Sequence, residues 1–274
     1  MMVCSGALGK HSGLSQGKAQ DASAVSTMAL TVSIVSHGHD DWLPGLLQQL
    51  AKTARNVITH VIVTHNLRPV RSVQSEGWPF VLKERCNSHP LGFGANHNRA
   101  FAHVSTPFFC VLNPDVSFLD EMVWERSVLR VAAAGVGCAF PTLVDANGSR
   151  QDNVRSLLTP FSLLRRHVWR KTDREPRIWA SAACWVMPSD IYARMDGFDE
   201  RYFMYCEDAD FCMRLQLDGL HIVRVDSPMM HEAQRASRRR LDHMAWHVCS
   251  LLHLWTSKTF WRCLWRRKEL KPLS

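Results

Sequence analysis

A strand, a helix and a second strand in close succession constrain the fold most strongly. Leu30–Ser36 is a short apolar run, Trp42–Ala54 carries four leucines at helical spacing, and Val57–Thr64 is a second apolar run. Asp40 or Asp41 is expected to cap the helix. Two strands joined by a helix through short connections form a parallel pair, so the pattern predicts an α/β protein.

The alternation of strand-like and helix-like segments continues along the chain. The further predicted strands are Phe80–Leu82, Pro107–Leu112, Gly137–Val144, Trp179–Met187 and His221–Val225. The further predicted helices are Glu121–Ala134, Ser189–Met195 and Ala209–Leu217. We therefore expect a mostly parallel central sheet flanked by helices.

Two glycines open a predicted helix in the segment CNSHPLGFGANHNRAF, residues 86–101. Gly92 and Gly94 would let a ligand approach the backbone closely, and free N–H groups at a helix start suit phosphate. The same pattern is equally typical of an ordinary loop followed by a helix cap.

Asn113-Pro114-Asp115 follows the buried strand Pro107–Leu112 directly. In open parallel sheets, ligands bind beyond the carboxyl ends of the strands. A carboxylate held there next to proline is well placed for a hard divalent cation, which needs oxygen ligands. The alternative is a β-turn, for which Asn-Pro-Asp is well suited.

Three carboxylates, Glu207, Asp208 and Asp210, occur within four positions among aromatic and thiol residues. Like charges this close raise one another's pKa, and apolar neighbours raise it further. Such crowding indicates an acid/base or metal site. The alternative is a helix start where the dipole favours acids, with Arg214 four residues after Asp210 as a helical ion pair.

The formal net charge of +8 comes from the C-terminal end of the chain, where residues 235–274 hold ten Lys and Arg residues and two acids. An amphipathic helical pattern there is followed by Trp261 and Trp265 between basic residues, which suits an anionic membrane surface. The alternative is a helix packed on the domain with a solvated basic end. No basic stripe accompanies the predicted strands, so no nucleic-acid partner is expected.

The length of 274 residues predicts one large domain or one domain with appendages, and 46% of the residues are hydrophobic, as in a globular protein with a sizeable core. Residues 1–28 are rich in Ser, Gly, Ala and Lys and are expected to be a disordered extension, 29–234 the domain, and 235–274 a basic amphipathic helical tail. There is neither a run of eighteen apolar residues nor a signal-peptide pattern. Nine singly spread cysteines indicate reduced thiols and a cytoplasmic protein.

Five segments in order resemble the family 2 glycosyltransferases, nucleotide-sugar enzymes of the GT-A fold. They are VSIVSHGHD, NSHPLGFGANHNRAF, FFCVLNPDV, GFDERYFMYCEDADFCMRL and the later His231. The resemblance extends from about Thr31 to His231 and is greatest to the bacterial rhamnosyltransferase-like branch. It implies a GT-A, Rossmann-like domain.

The resemblance also implies site roles. Asp208 matches the catalytic base, Asp115 and His231 match ligands of a divalent metal, Mn²⁺ or Mg²⁺, and Trp179 and Glu207 fall where the acceptor should lie. The positions that match the nucleotide-sugar site are Ser36, His37, Asn66, Gly92, Gly94, Asn98, Asn113 and Asp115.

The implied function is inverting transfer of a sugar from a nucleoside diphosphate sugar, such as dTDP-rhamnose or a UDP-sugar. The expected acceptor is a hydroxyl of a growing, lipid-linked glycan of a bacterial surface polysaccharide such as O-antigen, lipopolysaccharide or capsule. The expected location is the cytoplasm, at the inner face of the cytoplasmic membrane. Two alternatives are a non-catalytic GT-A protein that binds sugar nucleotides and a nucleic-acid-binding protein that uses the basic tail.

Overall fold

A central eight-stranded sheet organises the fold, with strand order β3-β2-β1-β4-β9-β6-β10-β5. In chain order the strands are β1 (Leu30–Ser36), β2 (Ile58–His65), β3 (Val81–Cys86), β4 (Phe108–Leu112), β5 (Val116–Phe118), β6 (Val136–Val144), β7 (Val154–Arg155), β8 (Trp179–Ala180), β9 (Cys184–Pro188) and β10 (His221–His231). The short strands β7 and β8 form a separate antiparallel pair.

Seven helices with both ends among the described residues accompany the strands. The residues that this computed structural model describes are 27–74, 76–151, 153–162, 164, 176–231 and 241–273. The helices are α1 (Leu43–Thr53), α2 (Phe93–Phe101), α3 (Val123–Val131), α4 (Ser189–Arg194), α5 (Glu207–Leu217), α6 (Leu241–Thr256) and α7 (Lys258–Trp265). Most of the predicted N-terminal extension and the first residues of the predicted tail, 235–240, lie outside the described residues.

The pairing of the strands confirms the mostly parallel α/β sheet. β1 pairs in parallel with β2 and with β4, β2 with β3, and β6 with β10. β9 runs antiparallel between β4 and β6, and β5 runs antiparallel to β10 at the sheet edge. The carboxyl ends of β1, β2 and β4 therefore meet at one edge of the sheet.

The segment Trp179–Met187 is not the single strand that its composition predicted. β8 ends at Ala180, residues 181–183 leave the extended conformation, and β9 begins at Cys184 in the other sheet. The break has a clear role, because the carbonyl of Ala183 accepts a hydrogen bond of 2.9 Å from the backbone N–H of Asn113. It therefore supports the loop that follows β4.

The predicted cap of α1 is also wrong. The residue at the N-cap is Trp42, with no side-chain cap, and proline occupies the first turn. Asp40 instead accepts a hydrogen bond of 2.7 Å from the backbone N–H of Val70. Competition from a distant segment for the carboxylate overrides the local capping preference.

Each face of the sheet carries its own apolar core. One face packs against α1 and α3, and the other packs against α4, α5 and the C-terminal helices. Leu254, Phe260 and Cys263 of α6 and α7 are almost fully buried in this second core. Burying an apolar side chain the size of leucine or phenylalanine contributes about 1.5–3 kcal/mol, so the C-terminal helices are held firmly on the domain. Among the described helices, none is long and apolar enough to cross a membrane.

Candidate active site

A cavity of about 430 Å³ opens at the edge of the sheet where β1, β2 and β4 end. It brings together seven of the residues predicted for the site, which are His37, Asn66, Asn113, Asp115, Glu207, Asp208 and His231. Segments far apart in sequence complete the wall, from the break at residues 181–183, from residues 203–205 and from α6.

Asp115 and His231 meet because β5 and β10 pair in antiparallel register, with His231 opposite Val116. The distance from His231 Nε2 to Asp115 Oδ1 is 3.4 Å. Asp115 Oδ1 is buried and has no hydrogen-bond partner among the described residues. A buried carboxylate oxygen without a donor is costly, and a cation at this position would satisfy it.

Glu207 and Asp208 open α5, immediately after an unusual turn. Tyr205 and Cys206 both adopt the left-handed conformation, with φ of 74° and 67°. Non-glycine residues avoid this region, and consecutive examples are associated with functional sites where surrounding structure holds them. The turn starts the helix with both carboxyl groups on the cavity wall.

The two adjacent carboxyl groups differ in their surroundings. Burial raises the pKa of Asp208 to about 6, and the backbone N–H of Ala209 and the positive charge of Arg155 oppose a larger rise. Burial and the charge of Asp208 raise the pKa of Glu207 well above its usual value. Both carboxyl groups therefore hold a proton to higher pH than an exposed carboxyl group does.

The third carboxylate of the cluster, Asp210, faces away from this cavity. Its side chain forms the predicted ion pair with Arg214, at 2.8 Å from Arg214 Nε. Arg214 also donates a hydrogen bond of 2.8 Å to the carbonyl of Gly197. The pair ties α5 to the turn that precedes it, which is a structural role.

Asn66 organises the opposite wall. Its Oδ1 accepts hydrogen bonds from Asn87 and from the backbone N–H of Leu91, at 2.9 and 2.8 Å. Its Nδ2 donates to the carbonyl of Leu91 at 2.9 Å and to His37 Nδ1 at 3.0 Å. The orientation of the His37 ring at the cavity is thus set by an amide at the end of the neighbouring strand.

The structure does not bring Ser36, Gly92 or Gly94 to the cavity wall. The buried hydroxyl of Ser36 accepts a hydrogen bond from the backbone N–H of His39 and holds the turn after β1. A Cβ on Gly92 would lie 2.7 Å from the carbonyl oxygen of Phe203, and one on Gly94 would lie 2.5 Å from Phe198 Cβ. These glycines permit α2 to pack closely against the segment before α5.

Asn98 and Trp179 also lie away from the cavity wall. The Asn98 amide bonds to Tyr192 and to both backbone groups of Phe198. Trp179 is buried in β8, where its indole N–H donates to the carbonyl of Ser156 at 2.8 Å. Neither side chain is directed into the cavity.

Sequence reasoning missed the contribution of α6, which it assigned to a separate tail. His243 and Trp246 of α6 line the cavity and pack on residues just before α5. Tyr205 Oη lies 2.8 Å from His243 Nδ1, and the rings of Phe203 and Trp246 are 4.9 Å apart. The spacing of His243 and Trp246 on one helical face was the available signal, but it does not reveal which surface that face contacts.

Comparison with known proteins finds rhamnosyltransferases among the relatives of this chain. The chain is 26% identical over 251 residues to rhamnosyltransferase WbbL of Escherichia coli, which covers 80% of this chain and 89% of that protein. It is 27% identical over 198 residues to the N-acetylglucosaminyl-diphospho-decaprenol L-rhamnosyltransferase of Mycobacterium tuberculosis, which covers 57% of this chain and 61% of that protein. No protein-family model matches the sequence.

The fold is similar to that of the mannosyltransferase PcManGT of Pyrobaculum calidifontis, solved in complex with GDP-mannose and Mn²⁺. The TM-score is 0.55 at 13% identity, covering 82% of this chain and 64% of that one. The sheet, the cavity at its edge and these relatives define a glycosyltransferase of the GT-A fold. In sequence the chain is similar to rhamnosyltransferases, which confirms the resemblance to the rhamnosyltransferase-like family 2 glycosyltransferases.

Proposed function

We propose that this protein transfers a sugar, with inversion, from a nucleoside diphosphate sugar to a hydroxyl of a lipid-linked glycan in bacterial surface polysaccharide synthesis. The observation that carries the proposal is the single cavity that joins Asp208 to Asp115 and His231. dTDP-rhamnose is the first proposed donor, since two of the sequence relatives are named as rhamnosyltransferases, and UDP-sugars are the alternative.

Asp208 is the proposed base. As the acceptor oxygen attacks the anomeric carbon, its proton passes to the Asp208 carboxylate, and the bond from that carbon to the diphosphate breaks. Attack opposite the leaving group inverts the anomeric centre in one displacement. Burial raises the pKa of Glu207, and the protonated carboxyl group would donate a hydrogen bond to an acceptor oxygen beside the base.

Asp115 and His231 are the proposed ligands of a divalent cation, Mn²⁺ or Mg²⁺. The buried, unpartnered Oδ1 of Asp115 facing an imidazole nitrogen fits such an ion. The described residues contain no cluster of three or more potential His, Cys, Asp or Glu ligands, so substrate oxygens would complete the coordination. A bound ion supplies charge stabilisation for the departing diphosphate.

The aromatic wall is the proposed acceptor side. Phe203, Tyr205 and Trp246 line the cavity together with Glu207 and Asp208. Apolar faces of sugar rings pack well on such surfaces, while the Tyr205 hydroxyl and His243 offer polar contacts. Trp246, rather than Trp179, is thus the proposed aromatic contact for the acceptor.

The outer face of α6 is the proposed membrane contact. Met244, Val248 and Leu252 form a row along the helix and are 60%, 51% and 55% exposed, and Trp265 of α7 is 78% exposed. α7 and the residues after it are rich in basic side chains. Because the opposite face of α6 lines the cavity, an anionic membrane bound here would bring a lipid-linked acceptor to the site.

The catalytic proposal is tested by donor binding and transfer in Asp208→Asn. We expect UDP-, dTDP- or GDP-sugars to raise the melting temperature in the presence of Mn²⁺, in the wild type and the variant alike. Transfer to a lipid-linked acceptor should be lost in the variant only. Full transfer activity in Asp208→Asn would exclude this residue as the base.

The membrane proposal requires surface substitutions, because truncation after Ser257 would remove Phe260 and Cys263 from the core. Replacing Met244, Val248 and Leu252 together by serine should weaken sedimentation of the protein with anionic vesicles. Leu129→Ser, at a 63% exposed position on α3, serves as the control. Equal vesicle binding by the triple variant and the control would refute the proposed contact.

A further inference from the structure

We propose that Gln151 is a positioning residue that fixes the ring tautomer of His231, so that Nε2 keeps a lone pair directed toward Asp115. The inference rests on the proposed role of Asp115 and His231 as ligands of a divalent cation. It concerns a side chain that lies 80 positions before the histidine it contacts.

The orientation of the Gln151 amide is set by the backbone of the same histidine. Gln151 Nε2 donates a hydrogen bond of 2.7 Å to the carbonyl oxygen of His231. Rotating the amide by half a turn would place Oε1 against that carbonyl, with two acceptors facing each other. Oε1 is therefore the atom that lies 3.2 Å from His231 Nδ1.

The tautomer follows from this arrangement. An amide oxygen only accepts hydrogen bonds, so Nδ1 must carry the ring proton. In the neutral ring Nε2 then has a lone pair, and it faces Asp115 Oδ1 at 3.4 Å. Two acceptors that face each other across this distance, one of them buried without a donor, suit a cation between or beside them.

Gln151 itself is held firmly. Its backbone N–H donates to the carbonyl of Leu143 at 2.8 Å, and its own carbonyl accepts from Asn153 at 3.0 Å. Leu143 belongs to β6, which pairs in parallel with β10, the strand that ends at His231. Gln151 lies after β6 rather than on a strand, but its backbone is hydrogen-bonded to β6, the neighbour of the strand that carries His231. This attachment helps to fix the separation of the amide and the imidazole.

The test uses Gln151→Leu, which removes both hydrogen bonds, and Gln151→Glu, which keeps an acceptor for Nδ1–H. Gln216→Leu is the matched control. The Gln216 side chain also bonds to backbone, to the N–H and carbonyl of Lys271 and to the carbonyl of Ile178, and it does not line the cavity. Its loss should lower stability without changing metal affinity.

Two measurements are needed. Nitrogen-15 NMR of the metal-free protein, with the His231 signal identified by its absence in His231→Gln, reports the tautomer directly. Calorimetric titration with Mn²⁺ alone reports metal affinity. We expect the Nδ1–H tautomer in the wild type and in Gln151→Glu, and a larger share of the Nε2–H tautomer in Gln151→Leu. Gln151→Leu should bind Mn²⁺ about 10- to 100-fold more weakly, as for loss of other hydrogen bonds to metal ligands.

The outcomes separate the two proposals. If His231→Gln weakens Mn²⁺ binding but Gln151→Leu does not, the metal role of His231 stands and the role of Gln151 is overturned. An Nε2–H tautomer in the wild type overturns it as well. If His231→Gln binds Mn²⁺ as the wild type does, both the metal role and the inference built on it fail.

Discussion

Replacement of Asn98 by alanine separates a nucleotide-binding role from a structural one. The resemblance to family 2 enzymes implied that Asn98 lines the nucleotide, whereas the structure uses its amide to join α2 to the segment before α5. Oδ1 accepts from the Phe198 N–H at 2.9 Å and from the Tyr192 hydroxyl at 2.7 Å. Nδ2 donates to the Phe198 carbonyl at 2.8 Å and to Glu200 at 3.0 Å.

The expected cost follows from the groups left behind in Asn98→Ala. The Phe198 N–H and the Tyr192 hydroxyl both belong to residues that are 1% exposed, and both would lose their acceptor. A buried donor without a partner costs about 1–3 kcal/mol, so we expect a loss of about 3–4 kcal/mol in the free energy of unfolding. For a domain of this size, that loss lowers the melting temperature by roughly 6–16 °C.

The assay combines thermal unfolding with titration of nucleoside diphosphate sugars at a temperature where the variant is folded. Asn147→Ala, at an exposed turn position, is the control and should change stability by less than about 0.5 kcal/mol. The affinity for the nucleoside diphosphate sugar should be the same in the wild type, Asn98→Ala and Asn147→Ala. Weaker donor binding in Asn98→Ala with little change in melting temperature would refute the structural assignment and support the role implied by the resemblance.

Three further predictions follow from the cavity. Because burial raises the pKa of Asp208 to about 6 and the base must be ionised, kcat/KM for transfer should fall as pH drops below about 6; a flat profile from pH 5 to 7 would contradict this. Burial and the charge of Asp208 raise the pKa of Glu207 in the folded protein. The contribution of Glu207 to stability is therefore complete below the usual pKa of a Glu side chain, and it is lost as the pH rises through the higher pKa of the folded state. Between pH 5 and 8, the melting temperature should fall less in Glu207→Gln than in the wild type. Trp246→Ala should raise KM for the acceptor about tenfold while the donor affinity stays unchanged, and the reverse pattern in steady-state kinetics would place Trp246 on the donor side.

Local patterns in the chain predicted most of the elements well. The apolar runs of β1, β4 and β6 and the leucine spacing of α1 are properties of consecutive residues, and the structure confirms them. Errors occurred where a distant segment competed for the same groups. Asp40 bonds to Val70 rather than capping α1, and residues 181–183 leave the strand to support Asn113.

The candidate site likewise combines features that local sequence predicts with features that depend on distant segments. Asp115, Asp208 and His231 could be chosen from the sequence because strand ends, crowded carboxylates and the ordered motifs mark them locally. Their meeting in one cavity depends on the pairing of β5 with β10 and on the turn at Tyr205 and Cys206, which arise only when the sheet assembles.

Residue types and their local order were therefore enough to predict the class of chemistry, because charge and hydrophobic periodicity are properties of neighbouring residues. The tertiary structure alone determined which side chains lie together at the cavity. Gln151 reaches His231, and Trp246 reaches the cavity, across long sequence separations that no local pattern encodes. Conversely, Trp179 is buried in the second core, and the partly exposed side chain of Asn98 satisfies the hydrogen bonds of Tyr192 and Phe198 instead of reaching the cavity.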